Sequence, residues 1–204
     1  MKTILSFTKR FRILLSRIIM GCVVLLMIFS VPLWQPGIAA GLGLELVSFI
    51  LVIAAAFGRL WALSYISGHK SEDLITEGPY SIMRNPLYFF SLCGVLGICM
   101  LYRSLLVSCS VLLAFAVYYP LVVRAEEVNL SKFFGDDFDR YCSSVPAFIP
   151  NISLYHEPRE YPVNARLFRR SFLSVMWFPL AYILIQMLLR LHEAGVLPSL
   201  LTIP

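Results

Sequence analysis

Two short polar segments of this chain combine residue types that could hold a small charged molecule. The first runs Gly78-Pro79-Tyr80, then Arg84-Asn85-Pro86-Leu87-Tyr88. Asn85 precedes a proline, which holds it out of the helical region, and Pro86 suits the first position of a helix. A helix starting there presents unpaired backbone N–H groups beside Arg84 and Asn85, an arrangement suited to a carboxylate or phosphate. The same residues also allow a plain capped helix, with Asn85 as the cap and Arg84 extended to a lipid headgroup. The second segment opens with Arg124-Ala125-Glu126-Glu127. Neighbouring side chains on a helix point about 100° apart. The two carboxylates therefore need different partners: one could face a pocket while the other pairs with Arg124 or Lys132.

Long apolar elements must carry these segments. Of 204 residues, 59% are hydrophobic and 14% charged, with a mean hydropathy of +0.78. A soluble domain is about 45–50% apolar and about 25% charged, so the excess must face lipid. Disordered, fibrous and nucleic-acid-binding classes are excluded on the same ground. Five stretches approach the roughly 17–25 residues that a spanning helix needs: 15–34, 42–63, 86–102, 104–123 and 172–190. The third and fourth meet at Tyr102-Arg103-Ser104, a tight hairpin whose Arg103 can reach the headgroups.

The net charge is +5, and its distribution sets the expected orientation. With the N-terminus inside, Lys2, Lys9, Arg10, Arg12, Arg17, Arg59, Lys70, Arg84, Arg124, Lys132, Arg140, Arg159, Arg166, Arg169 and Arg170 fall on the inner side or at inner helix ends; Arg103 and Arg190 do not. The positive-inside rule then makes both polar segments cytoplasmic and the C-terminus external, if all five stretches span. A re-entrant last stretch would reverse only the C-terminus. Residues 1–40 could alternatively be read as a signal peptide, with a basic start, an apolar run and small residues at Gly37-Ile38-Ala39-Ala40.

The remaining polar and aromatic residues carry weaker signals. Phe133, Phe134, Phe138, Tyr141 and Phe148 are interleaved with charges between Leu130 and Pro150, which reads as an amphipathic helix anchored at the membrane and an extended segment fixed by prolines. Glu45 and Arg59 share the second stretch but stand too far apart to pair. Arg59 can extend inward, so of the two only Glu45 is unexplained. His69, His156 and His192 read as surface residues. Four cysteines lie in the apolar stretches and Cys142 outside them, with no CxxC pair and an odd count, so neither a disulfide framework nor a metal site is expected.

Gly78-Pro79-Tyr80 and Arg84-Asn85-Pro86-Leu87-Tyr88, followed after two spans by Glu126-Glu127, Leu130, Phe134-Gly135, Tyr141, Val145-Pro146 and Ile149-Pro150, resemble the isoprenylcysteine carboxyl methyltransferase family, with phospholipid methyltransferases as relatives. The similarity covers residues 64–150, the core of a single domain spanning 1–204. It implies an all-α, polytopic membrane protein with about five transmembrane helices and a cytoplasmic helical cap carrying the cofactor site. The cofactor implied is S-adenosylmethionine, with S-adenosylhomocysteine as product, and the partners are a lipidic acceptor from the bilayer and membrane lipids. By the same resemblance Asp73, Leu74, Ile75, Tyr80, Arg84, Asn85, Pro86, Leu87, Tyr88 and Glu126 form the cofactor-binding wall. Arg124 and Glu127 are the catalytic candidates. Two positions depart from the family. Asn85 stands where it usually has His and can donate a hydrogen bond but not act as acid or base; Val122 stands about where a substrate-side Arg is usual, with Arg124 nearer the glutamates. A membrane reductase using NADPH and a non-catalytic lipid-binding scaffold are the alternative readings; cofactor binding separates them.

Overall fold

The computed structural model describes residues 21–67 and 73–204, and most of these are helical. Residues 21–29 are helical and lead into a short strand, β1 (Ser30–Pro32). α1 (Ile38–Ile66) follows, with Glu45 and Arg59 as its two charged residues. After one helical turn, α2 (Pro79–Ile82), come α3 (Pro86–Tyr102) and α4 (Leu105–Phe134). The hairpin between them is tight: Arg103 takes the left-handed conformation at φ 60°, and the Ser104 hydroxyl caps α4 by accepting from the Val107 N–H. Gly135, at φ 51°, ends α4, and α5 (Asp136–Ser144) begins with three acids in its first turn, where the helix dipole favours them. The amphipathic stretch expected from Leu130 is thus two elements, the end of α4 and α5, divided at a glycine.

An extended run with one 3-10 turn leads to α6 (Ala165–Val175), capped by Asn164, and α7 (Trp177–Glu193). The two are separated at Met176, three residues before Pro179. Proline has no N–H to give the Val175 carbonyl and its ring crowds it, which breaks the helix there. β2 (Leu201–Ile203) pairs in parallel with β1.

Among the described residues, three helical stretches are long and apolar enough to cross a bilayer: Ile38–Ile66, Leu105–Phe134 and Ala165–Glu193. α3 is apolar but has 17 residues, about 26 Å of helix against a hydrocarbon core of about 30 Å. The first expected span, 15–34, lies partly outside the described residues, and its described part leaves the helix at β1. Among the described residues, three candidate spans and one shorter apolar helix therefore stand where five spans were expected. Large apolar side chains such as Phe57, Leu113, Val117 and Ile183 are exposed, as a lipid-facing wall requires.

α1 packs most extensively against α3. Small residues allow this. A Cβ at Gly97 would lie 2.8 Å from the Ser48 carbonyl oxygen, and one at Gly58 would enter the Phe90 ring. At one end of the bundle, the segment before α3 meets the segment after α5. At the other, Glu45 pairs with Arg103 at 2.6 Å and Arg190 at 3.8 Å and accepts from Gln186 at 3.3 Å. Arg103 therefore turns inward to Glu45 instead of reaching headgroups, because the left-handed turn aims it at α1. Arg59 does not extend to the surface either: it bonds to the Leu87 carbonyl and the Ser91 hydroxyl on α3. His192 is part-buried, 3.0 Å from the Ile28 carbonyl, instead of a free surface residue.

Replacing Gly97 by Ala should destabilise the protein by about 1–3 kcal/mol, since the backbone of α1 cannot yield as a side chain could. Gly43→Ala, where a Cβ meets nothing within 4 Å, should be neutral or stabilising. Thermal unfolding of the two variants in one detergent checks the difference.

Candidate functional site

A cavity of about 730 Å³ opens where the first turns of α3, the last turns of α4 and the body of α5 converge. Its position follows from local chemistry. Gly78 adopts φ 57° and lies so close to Tyr65 that a Cβ would sit 2.3 Å from the ring. Only glycine fits both demands. Pro79 then starts the single turn α2, which is tied by the Ser81 hydroxyl to the Gly78 carbonyl at 2.7 Å. This turns Tyr80 into the cavity, and the chain reverses to start α3 at Pro86.

The far wall is fastened by hydrogen bonds to the stretch after α5. The Arg84 N–H donates to the Pro146 carbonyl at 2.9 Å, and the Asn151 N–H to the Ile82 carbonyl at 2.9 Å. Asn85 is the N-cap by position, but its side chain caps nothing: Nδ2 donates to the Ala147 carbonyl at 3.0 Å. The Tyr141 hydroxyl donates to the Tyr80 carbonyl at 2.7 Å. The sequence motifs thus hold one another directly.

Around the cavity stand Asp73, Leu74 and Ile75, then Tyr80, then Arg84, Asn85, Pro86, Leu87 and Tyr88, and Glu126 and Glu127 from α4. All the residues of the expected cofactor wall border one space, with Glu127. Glu127 pairs with Arg84 at 3.4 Å, and Glu126 stands beside the Tyr88 hydroxyl. Among the described residues neither carboxylate pairs with Arg124 or Lys132. Arg124 is not brought to the cavity. It is exposed, about 200° round the helix from Glu126, and forms no ion pair among the described residues.

Burial pushes the Tyr80 phenol well above its ordinary pKa, with Tyr141 and Glu126 adding to the effect. Tyr80 is therefore a neutral hydroxyl, and among the described residues that hydroxyl is buried without a hydrogen-bond partner. Burial raises the Tyr141 phenol as well, opposed by Arg84.

The cavity also includes residues that the sequence reading left out. Leu63 and Ile66 come from the end of α1, and Asn129, Leu130, Phe133, Phe134, Phe138 and Tyr141 from α4 and α5. Four of these aromatics read as membrane anchors in the sequence. Helical spacing contains the missing signal: once Glu126 faces a pocket, Leu130 and Phe133, at i+4 and i+7, share its face.

Changing Asn85 to Asp should replace the donor to Ala147 by an acceptor and leave two oxygens facing each other. A loss of about 1–3 kcal/mol is expected, with weaker protection of the 146–151 segment in hydrogen exchange; unchanged protection would show that this bond does not hold the wall.

The phospholipid methyltransferase family model matches residues 36–137. The chain is 35% identical over 198 residues to the cobalt-zinc-cadmium resistance protein CzcN of Cupriavidus metallidurans, covering 97% of this chain and 91% of that protein. It is 34% identical over 199 residues to the nickel-cobalt-cadmium resistance protein NccN of Alcaligenes xylosoxydans xylosoxydans, covering 98% and 92%. Protein-S-isoprenylcysteine O-methyltransferase of Schizosaccharomyces pombe is 31% identical over 84 residues, 41% of this chain and 36% of that enzyme. No solved structure matches. With half of its length under the family model and a set of apolar helices around the cavity, the chain belongs to the phospholipid methyltransferase family of membrane methyltransferases.

Proposed function

We propose that this chain transfers a methyl group from S-adenosylmethionine to a lipidic or membrane-associated acceptor at the cytoplasmic face. The observation that carries the reading is the convergence of both sequence motifs on one cavity of about 730 Å³, within the range of small-molecule sites. The donor set fits the cofactor. The start of α3, with Arg84 and Asn85, suits an amino-acid carboxylate, and Glu126 and Glu127 suit an ammonium or ribose hydroxyls. Leu74, Ile75 and Phe138 suit a flat apolar base, while Tyr80 retains an unused buried hydroxyl. When bound, the cofactor supplies a methyl group already activated on a sulfonium.

The residues of the chain then have three tasks. Tyr88 and Tyr80 line the space beside the α3 terminus, where their ring faces favour positive charge. Leu63, Ile66, Leu130 and Phe133 form an apolar side that admits an acceptor from the bilayer and excludes water. Glu127, with Glu126 beside it, is the group available to take a proton from an amine acceptor; a carboxylate or thiolate acceptor needs none removed. Arg124, exposed and outside the cavity lining, is given no part in this. The cytoplasmic orientation rests on the distribution of Lys and Arg.

The relatives alike over nearly the whole chain are named for resistance to cobalt, zinc, cadmium and nickel. We place the methylation of a membrane component by this chain in the same setting.

Incubating purified protein with methyl-tritiated S-adenosylmethionine and a lipid extract of the host membrane should put label into the organic phase, which mass spectrometry then identifies. Glu126→Ala should reduce the rate by at least about tenfold, and Arg124→Ala should leave it within about twofold. Label incorporation no greater than without protein, from material shown to be folded, would overturn the methyltransferase reading.

A further inference from the structure

Arg59 stands in the apolar body of α1, seven residues before the helix ends at Ile66, about 10 Å below that end. A guanidinium at such depth is costly unless it is well partnered. Among the described residues Arg59 has no carboxylate partner. One amino group donates to the Leu87 carbonyl at 3.0 Å and to the Ser91 hydroxyl, while Nε is buried without a hydrogen bond. The Phe178 ring of α7 packs 5.5 Å from its centre. Three helices thus fix the orientation of this cation and leave its charge uncompensated.

The cation stands behind the wall of the cavity, joined to it through Leu87. Leu87, which receives it, borders the cavity, and so do Tyr80 and Tyr88, its electrostatic neighbours. Leu63, one turn nearer the cytoplasmic end on the same face of α1, is in the wall.

We infer that Arg59 is the positioning residue for an anionic group of the acceptor. It holds a carboxylate, or a phosphate next to the accepting atom, through charge-assisted hydrogen bonds. Its charge then selects acidic amphiphiles over neutral ones. The statement that this anion belongs to the acceptor rests on the methyltransferase reading; the binding of anionic amphiphiles does not.

The test is calorimetric binding of dodecanoate, dodecyl phosphate and dodecanol to the full chain in non-ionic detergent, for wild type, Arg59→Met and Arg59→Lys, with S-adenosylmethionine binding measured in parallel. Arg59→Met should weaken one or both anions by at least about tenfold, Arg59→Lys should restore part of the loss, and dodecanol and S-adenosylmethionine should bind as to wild type. Loss of dodecanoate alone assigns a carboxylate, and loss of dodecyl phosphate alone assigns a phosphate. Equal affinity of wild type and Arg59→Met for both anions, a parallel loss of dodecanol, or no anion binding by wild type would each overturn the inference. Failure of wild type to bind S-adenosylmethionine would sink the methyltransferase reading separately, whatever the anions do.

Discussion

A few hydrogen bonds between residues 82–85 and the stretch 146–151 hold the cavity together. They run from the Arg84 N–H to Pro146, from the Asn85 amide to Ala147, and from the Asn151 N–H back to Ile82. The groups joined here are separated in sequence by two apolar helices, and the loop-closure entropy of joining them is met by the packing of those helices. Prolines at 146 and 150 keep the second stretch extended, so that its carbonyls remain free to accept. Asn85 takes part through its side chain, which explains how an amide can stand where the family usually has an imidazole. Either can donate one hydrogen bond to Ala147, whereas only the imidazole could also carry a proton.

The close approach of α1 and α3 has a second consequence. Glycines at 58 and 97 let the helices approach until backbone meets side chain and backbone meets backbone. At that separation Arg59 reaches the Leu87 carbonyl at the start of α3. Bilayer-embedded helices gain no hydrophobic drive from one another, so small residues and polar links supply the association. Arg59 at one level and Glu45 with Arg103 at another are such links. They also tie α1, α3 and α7 into a frame on which the polar end is built.

Much of this was legible in the sequence. The start of α3 at Pro86 and its end before Arg103 follow from proline chemistry and a charged break between apolar runs, and the motifs pick out residues that border one cavity. The partners of intramembrane charges were not legible. Glu45 finds Arg103 across helices, a pairing that depends on the left-handed conformation of one residue. The division at Gly135 and the place of Phe133, Phe134 and Phe138 along the cavity were hidden because an interfacial helix and a cavity wall share one composition. Arg124 stays outside the cavity lining although Glu126 and Glu127 border it; closeness in sequence does not fix the direction that a long side chain takes.

The central claim is that the polar end of this bundle is a binding site for S-adenosylmethionine. Its most direct test is equilibrium binding of S-adenosylmethionine, S-adenosylhomocysteine and NADPH to the purified chain in detergent. Saturable binding of the two adenosyl compounds in the low-micromolar to sub-millimolar range is expected for a cavity of this kind, and none of NADPH. Binding of NADPH alone, or of none of the three by folded protein, would contradict it.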